Sequence, residues 1–297
     1  MGWVLATLIA AAAQTARNAT QASLTRAIGT LGATQVRFLF GLPFAVLFLA
    51  LVVGFGGGAV PPLTVPALGF TLLGALSQIA ATALMLVTMQ SQSFAVTTAW
   101  IKTEPVLVAL IGAAVLGDPL SPPMLMAIVI ATAGVVLMSV TPGTGRALWR
   151  DGGSLLAGLL AGALFGLAAI GFRGGILALP SGEFLVRATT ILVVSLALQA
   201  GLLTLWLVAF DRAALAGSLR VWRTSLGAGF LGALASQFWF IGFSLTSAAN
   251  VRTLALVEVI MALGVSRVVF GQRIGGRKIL GMAVVVLGVG LLLRSQV

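Results

Sequence analysis

The chain has 297 residues, of which 60% are hydrophobic and 8% charged, and its mean hydropathy is +1.15. A water-soluble domain of this length cannot bury so much apolar surface, so lipid is the expected solvent for most of it. With no cysteine and no histidine, disulfides, thiolate chemistry and the usual nitrogen ligands of zinc or haem are excluded, and no metal or cofactor is expected. The net charge of +11 does not point to nucleic acid. The arginines stand at the ends of hydrophobic segments rather than in a basic stripe, which is a signature of membrane topology.

Polar and Pro/Gly breaks divide the chain into ten predicted spans, each near the roughly 20 residues a helix needs to cross a bilayer. They fall at 2–20, 33–54, 65–88, 93–116, 123–141, 153–178, 184–209, 222–246, 248–270 and 278–295. Residues 1–16 lack a basic leader, so the first run reads as a membrane helix rather than a cleaved signal. In that span Thr7, Gln14, Asn18 and Gln21 share a helical face, with Arg17 beside it. "GFGGGAVPP" at 54–62 ends the second span, which Arg37 opens. In the third, Gln78, Thr82, Met85 and Met89 form a stripe with Ser77 adjacent.

The fourth span, "AWIKTEPVLVALIGAAVL", carries Lys102 and Glu104 inside an apolar run, with Pro105 next to the glutamate. Helical spacing places Thr97, Trp100, Glu104, Val108 and Ile111 on one face and turns Lys102 about 200° away from Glu104. "GDPLSPP" and "TPGTGRALWRDGG" bracket the fifth span, and the sixth is the glycine-rich "AGLLAGALFGLAAIGFRGG". Arg187 opens the seventh span. In the eighth, Gln237, Phe240, Ile241 and Ser244 line one face, flanked by Ser236 and Trp239. Amides inside spans ordinarily hydrogen-bond neighbouring helices, and each stripe alone has that explanation.

Sliding the chain by 154 residues lays Ser93–Met138 over Ser247–Leu292 without a gap, with eight identities in 46 positions. Apolar coincidences are cheap in such a composition. A matched intramembrane glutamate (Glu104 and Glu258) and a matched break glycine (Gly117 and Gly271) are not. "LGALSQ" at 73–78 resembles "LGALASQ" at 231–237 in the same way, so Gln78 and Gln237 also correspond. The expected fold is all-α and integral to the membrane: ten transmembrane helices as two five-helix repeats, 1–145 and 146–297, around a central cavity. Because five is odd, the repeats are inverted.

"TEPVLVALIGAAVLGDPL" and "LVEVIMALGVSRVVFGQRI" resemble the paired fourth- and ninth-helix motifs of the drug/metabolite transporter superfamily, EamA-type, and within it the YddG group of amino-acid exporters. The resemblance covers essentially the whole chain. It implies a ten-helix carrier with a cavity between its halves, exporting aromatic or apolar amino acids across a bacterial inner membrane. The sequence departs from the pattern where Val259 rather than proline follows Glu258, which argues against a kink there, and where Gln272 replaces the acidic residue matched by Asp118.

A charge at the bilayer centre costs roughly 3 kcal/mol or more unless it faces protein or water. Glu104 and Glu258 are therefore interior. Either they contribute to a substrate cavity with Gln14, Asn18, Ser77, Gln78, Trp100, Gln237, Trp239 and Phe240, or they pair with Lys102, Arg252 or Arg267 and lock helices; both roles can hold. In the first case an indole one turn from a carboxylate suits an organic ammonium. No Walker-type phosphate loop is present, and no serine sits beside Lys102 for serine–lysine hydrolysis. A carrier of small molecules is the leading reading, ahead of a channel, a multidrug or other metabolite carrier of the same fold, and an intramembrane enzyme. The expected partners are a small-molecule substrate and the bilayer, with no nucleic acid, and a monomer suffices.

Orientation follows from charge. The loops between spans 1–2, 5–6, 7–8 and 9–10, with their flanks, hold ten basic residues, Arg17, Arg26, Arg146, Arg150, Arg212, Arg220, Arg223, Arg273, Arg277 and Lys278, and the side carrying the termini holds four, Arg173, Arg187, Arg252 and Arg294. The positive-inside rule places the richer side in the cytoplasm and both termini in the periplasm. A cysteine at Ser295 should accordingly be labelled by an impermeant maleimide in intact cells, and one at Thr144 only after lysis; the opposite pattern inverts the topology.

Overall fold

The computed structural model describes residues 1–56, 58–89, 100–139, 152–270 and 275–295, with some side chains inside those ranges left out. The described residues are helical, without strands, and the helices are α1 (Gly2–Leu39), α2 (Leu42–Gly56), α3 (Val65–Met89), α4 (Glu104–Leu116), α5 (Pro122–Ser139), α6 (Gly152–Leu177), α7 (Phe184–Phe210), α8 (Arg212–Arg220), α9 (Trp222–Leu245), α10 (Ala248–Leu254), α11 (Val257–Phe270) and α12 (Gly276–Arg294). Lipid offers no hydrogen bonds, so each span must pair its own backbone, and helices do this. Among the described residues, seven stretches are long and apolar enough to cross a membrane: Leu31–Gly56, Val65–Met85, Pro122–Ser139, Leu155–Leu177, Phe184–Phe210, Trp222–Leu245 and Gly276–Arg294. The protein is a multi-pass membrane protein.

Four of the ten expected spans look different, the second because it is shared between the end of α1 and α2, with a turn at 40–41. The first lies in α1, where the helix runs on through the expected loop and breaks only at Gly29 (φ 73°, ψ 174°), a conformation that a side chain resists. Arg17 and Arg26, counted above as loop cations, are thus helical residues, and Arg17 is only 7% exposed; without them the basic side still holds eight cations against four. The fourth span has a described core of only Glu104–Leu116, and most of its first half, Thr97 included, lies outside the described residues. The ninth is two helices, α10 and α11, separated at Ala255–Leu256.

The helix ends have local causes. Thr64 caps α3, its hydroxyl oxygen accepting from the Ala67 N–H (3.2 Å) while its O–H donates to the Ala178 carbonyl (3.0 Å). Ser121 and Ser247 accept from Met124 and Asn250 in the same way. α4 stops at Gly117, whose φ of 67° is left-handed, and the Asp118 N–H closes back on the Gly112 carbonyl at 3.2 Å.

The chain forms two compact units. One comprises Met1–Leu76 with Gly171–Thr246, the other Ser77–Ile170 with Ser247–Val297, so each takes segments from both sequence halves. That division concerns packing, whereas the halves 1–145 and 146–297 concern repeated sequence. In the first unit α1 lies against α9, and Gly171 of α6 comes so close to α3 that a Cβ there would sit 2.6 Å from the Gly74 nitrogen.

In the second unit α5 and α12 make the matching close pair. A Cβ on Gly134 would meet the Val285 nitrogen at 2.7 Å, and one on Gly288 would collide with the Ala131 nitrogen. Positions 134 and 288 differ by 154, and so do 131 and 285: the contact maps onto itself when the repeats are exchanged, as an isologous interface does. Small residues let helix backbones approach where lipid supplies no hydrophobic drive. Gly288→Val should therefore destabilise the protein by about 1–3 kcal/mol or more, lowering the detergent melting midpoint. Gly290→Val, whose new side chain would have nothing within 4 Å, should leave the midpoint nearly unchanged; equal effects would remove the close-packing account.

Candidate functional site

The chemistry of the second unit centres on two helix breaks. Before Glu104 the chain turns at Lys102–Thr103, where the Thr103 N–H bonds to the Trp100 carbonyl (3.1 Å) and the Val106 N–H to the Thr103 carbonyl (3.1 Å). Before Glu258 it turns at Ala255–Leu256, with Leu256 bonded to Thr253 (3.1 Å), Glu258 to Ala255 (2.9 Å) and Val259 to Leu256 (3.1 Å). Both turns use i→i−3 bonds, the tighter 3₁₀ pattern. Pro105, in the first turn of α4, lacks the N–H that a continuous helix would use. The second break has no proline, so the sequence expectation that Val259 speaks against a kink is corrected. Backbone tightening alone interrupts the helix there.

The tightened turn also corrects the register drawn through the fourth span. Trp100 and Glu104 stand on either side of it, so they are not one turn apart on a single helix. The buried face of α4 is Glu104, Pro105, Val108, Ala109 and Gly112.

Each glutamate meets a base from the other half of the sequence. Arg252, in α10, grips Glu104 with two parallel bonds, Nε to Oε1 at 2.6 Å and Nη2 to Oε2 at 2.7 Å. Lys102 donates from Nζ to Glu258 Oε1 at 3.0 Å. The arginine pair is the more enclosed, with side chains 21% and 11% exposed against 28% and 19% for the lysine pair. A bidentate guanidinium–carboxylate contact fixes both planes, whereas an ammonium makes a single adjustable contact. The result is a crossed pair of ion pairs joining the two breaks. The glutamates obey the 154-residue offset, but the bases do not: Arg252 aligns with Thr98, and Lys102 with Leu256.

Ser77 and Gln78 also belong to this unit. Ser77 is buried, and the Gln78 carbonyl accepts from the Thr82 hydroxyl at 2.7 Å.

The first unit holds a different polar set, built from amides and rings. The Trp239 indole N–H donates to Gln14 Oε1 at 3.1 Å, linking α9 to α1. Gln237, 6% exposed, donates from Nε2 to the Thr189 hydroxyl at 2.7 Å, and that hydroxyl donates to the Leu185 carbonyl at 2.8 Å. Gln237 Oε1 is buried without a hydrogen-bond partner. Phe240 stacks on Phe172 with ring centroids 4.9 Å apart. The side chains of Asn18 and Arg267 are not among those described.

Sequence reading missed three participants. Thr189 and Phe172 gave no signal, because a threonine or phenylalanine in a span is unremarkable. Arg173 did give one, as a charge inside the glycine-rich sixth span. Its Nη1 donates to the Phe243 and Thr246 carbonyls, 2.5 Å each, and so satisfies the C-terminal end of α9. Among the described residues no group of three or more His, Cys, Asp or Glu side chains could hold a metal ion.

No protein-family model matches the chain, and no curated protein matches it. Solved structures do, in 28 chains. One, described only as "Crystal structure of protein", matches with a TM-score of 0.73 over 99% of each chain at 16% identity, a likeness of fold alone.

The crossed pairs make a prediction about stability. Arg252→Gln leaves an unpaired carboxylate in a place 11% exposed and should cost about 3 kcal/mol, whereas Lys102→Met, at the wetter pair, should cost about 1 kcal/mol. Adding Glu104→Gln to Arg252→Gln removes the stranded charge and should restore most of the loss. Melting midpoints of the single and double variants in detergent check this; simple additivity would mean that Arg252 and Glu104 do not act as a pair.

Proposed function

We propose that the protein is a secondary carrier of small organic metabolites, of the drug/metabolite transporter type, working by alternating access in a bacterial inner membrane. The observation that carries this reading is the pair of repeat-matched glutamates at interrupted helices. Broken helices with charged residues inside the membrane are where transporters place their binding and gating groups, and a scaffold has no need to interrupt a span at a charge.

The substrate class follows from the side chains on offer. Within the second unit, carboxylates at Glu104 and Glu258 suit an ammonium, the Gln78 amide suits a carboxylate or hydroxyl, and the Trp100 indole suits an apolar body. Amino acids with aromatic or aliphatic side chains combine these features. The resemblance in the fourth- and ninth-helix motifs supports the same class, and the fold likeness over the whole chain is compatible with it. Nothing in the sequence favours nucleotide hydrolysis or nucleophilic catalysis, so the protein is read as a carrier rather than an enzyme.

A carrier saturates and shows counterflow; a channel does not. Purified protein in liposomes should take up radiolabelled phenylalanine or leucine with a defined KM and accelerate when the lumen is preloaded with the same amino acid. The doubly neutral Glu104→Gln/Arg252→Gln variant, chosen because it strands no charge and used once its melting midpoint shows it folded, should transport roughly tenfold less or worse, the loss expected when one ion pair no longer discriminates between conformations. Uptake linear in concentration without counterflow would replace the carrier with a channel. Unimpaired uptake by the double variant would leave the glutamate a purely structural role.

A further inference from the structure

The segment Asp211–Arg223, "DRAALAGSLRVWR", carries three arginines and one carboxylate. The carboxylate is engaged: Asp211 caps α8 by accepting from the Ala214 N–H at 3.0 Å. Arg212 ties the start of α8 to the end of α7, its Nε donating to the Val208 carbonyl at 2.8 Å. α8 joins Phe210 to Trp222, the ends of two helices that are each able to cross the membrane. With nine residues and two arginines, α8 can cross nothing, and its place at the ends of two spans puts it at the membrane–water interface.

Its two sides differ. Ser218 is fully buried and Ala214, Leu215, Gly217 and Val221 are partly buried, on the side that packs against α1 near Ile28 and Gly32. Arg212, Ala213, Ala216, Leu219 and Arg220 are exposed and fall within one arc of about 120°. Beside this arc stand Trp206, Phe210 and Trp222, exposed by 44%, 75% and 49%, and Arg223 lies over the Trp222 ring with its Cζ 5.4 Å from the centroid. Exposed aromatics at this level are the belt that settles among headgroups.

We propose that α8 and its flanks form a docking surface for anionic phospholipid, with Arg212, Arg220 and Arg223 meeting headgroup phosphates while Leu219, Trp206, Phe210 and Trp222 enter the acyl boundary. The charge excess selects an anionic over a zwitterionic headgroup. The exposed apolar groups beside the arginines select a lipid over free phosphate, which has nothing to place there. Arg212 and Arg220 are separated by roughly 12 Å along the axis, so they engage different headgroups. This inference rests on the membrane character of the chain and not on what it transports.

The test uses full-length protein in nanodiscs of mixed phosphatidylglycerol and phosphatidylcholine, with retained lipid counted by native mass spectrometry. Wild type should retain phosphatidylglycerol preferentially, and Arg212→Gln/Arg220→Gln/Arg223→Gln should lose about fivefold of that preference per arginine. If the triple variant does not fold, Arg220→Gln/Arg223→Gln leaves both the Asp211 cap and the Val208 contact intact and should lose the corresponding part. Arg294→Gln, an exposed arginine at the end of α12, is the control and should change nothing. Equal retention by wild type and variant overturns the proposal. So does an equal drop in the control, which would show a diffuse charge effect, and so does displacement of the lipid by millimolar inorganic phosphate.

Discussion

A charge in hydrocarbon has to meet its opposite inside the protein, and this chain has few opposites to offer: six carboxylates against seventeen bases. Two of the six, Glu104 and Glu258, lie within the apolar sequence of the second unit, where Arg252 meets Glu104 and Lys102 meets Glu258. The requirement shapes the backbone as well. A base and an acid on different segments pair only if both side chains point to the same spot, and here both glutamates begin a helix directly after a 3₁₀ turn. The breaks aim the carboxylates, and the pairs hold the breaks in place.

Around this centre the packing is nearly two-fold and the chemistry is not. Gly134 facing Val285 and Gly288 facing Ala131 are one contact written twice, offset by 154 residues. The glutamates keep the same offset. The bases depart from it, an arginine six residues before one glutamate and a lysine two residues before the other. Duplicated backbone geometry thus carries two unlike locks.

The frame was legible because it depends on long-range regularities. Span length and apolar runs located the seven crossing stretches to within a few residues, and the repeat offset picked out Glu104 and Glu258. Break positions were less legible. Proline was used as the marker, and it served at Pro105; Ala255–Leu256 breaks with no local residue requiring it, since the backbone bonds there are set by surrounding contacts. Pairing was legible only as a choice. Lys102, Arg252 and Arg267 were all candidates for the glutamates, and sequence spacing cannot tell which base of a distant segment arrives. Arg173 was read only as a topological charge, because its partners are backbone carbonyls, which every residue has.

The two units also divide the polar work. The first includes neutral contacts, Trp239 to Gln14 and Gln237 to Thr189, and arginines that donate to backbone carbonyls, Arg173 to Phe243 and Thr246 and Arg212 to Val208. Neutral hydrogen bonds of this kind are worth about 1 kcal/mol each, so they specify neighbours without committing them. The second unit holds the stronger contacts, and those are unequal. Lys102 and Glu258 are the more exposed pair and share one hydrogen bond. Separating Arg252 from Glu104 breaks two bonds and strands a carboxylate in a drier place. The arginine pair is therefore the firmer of the two contacts, held by two bonds in the drier place, and the lysine pair the looser.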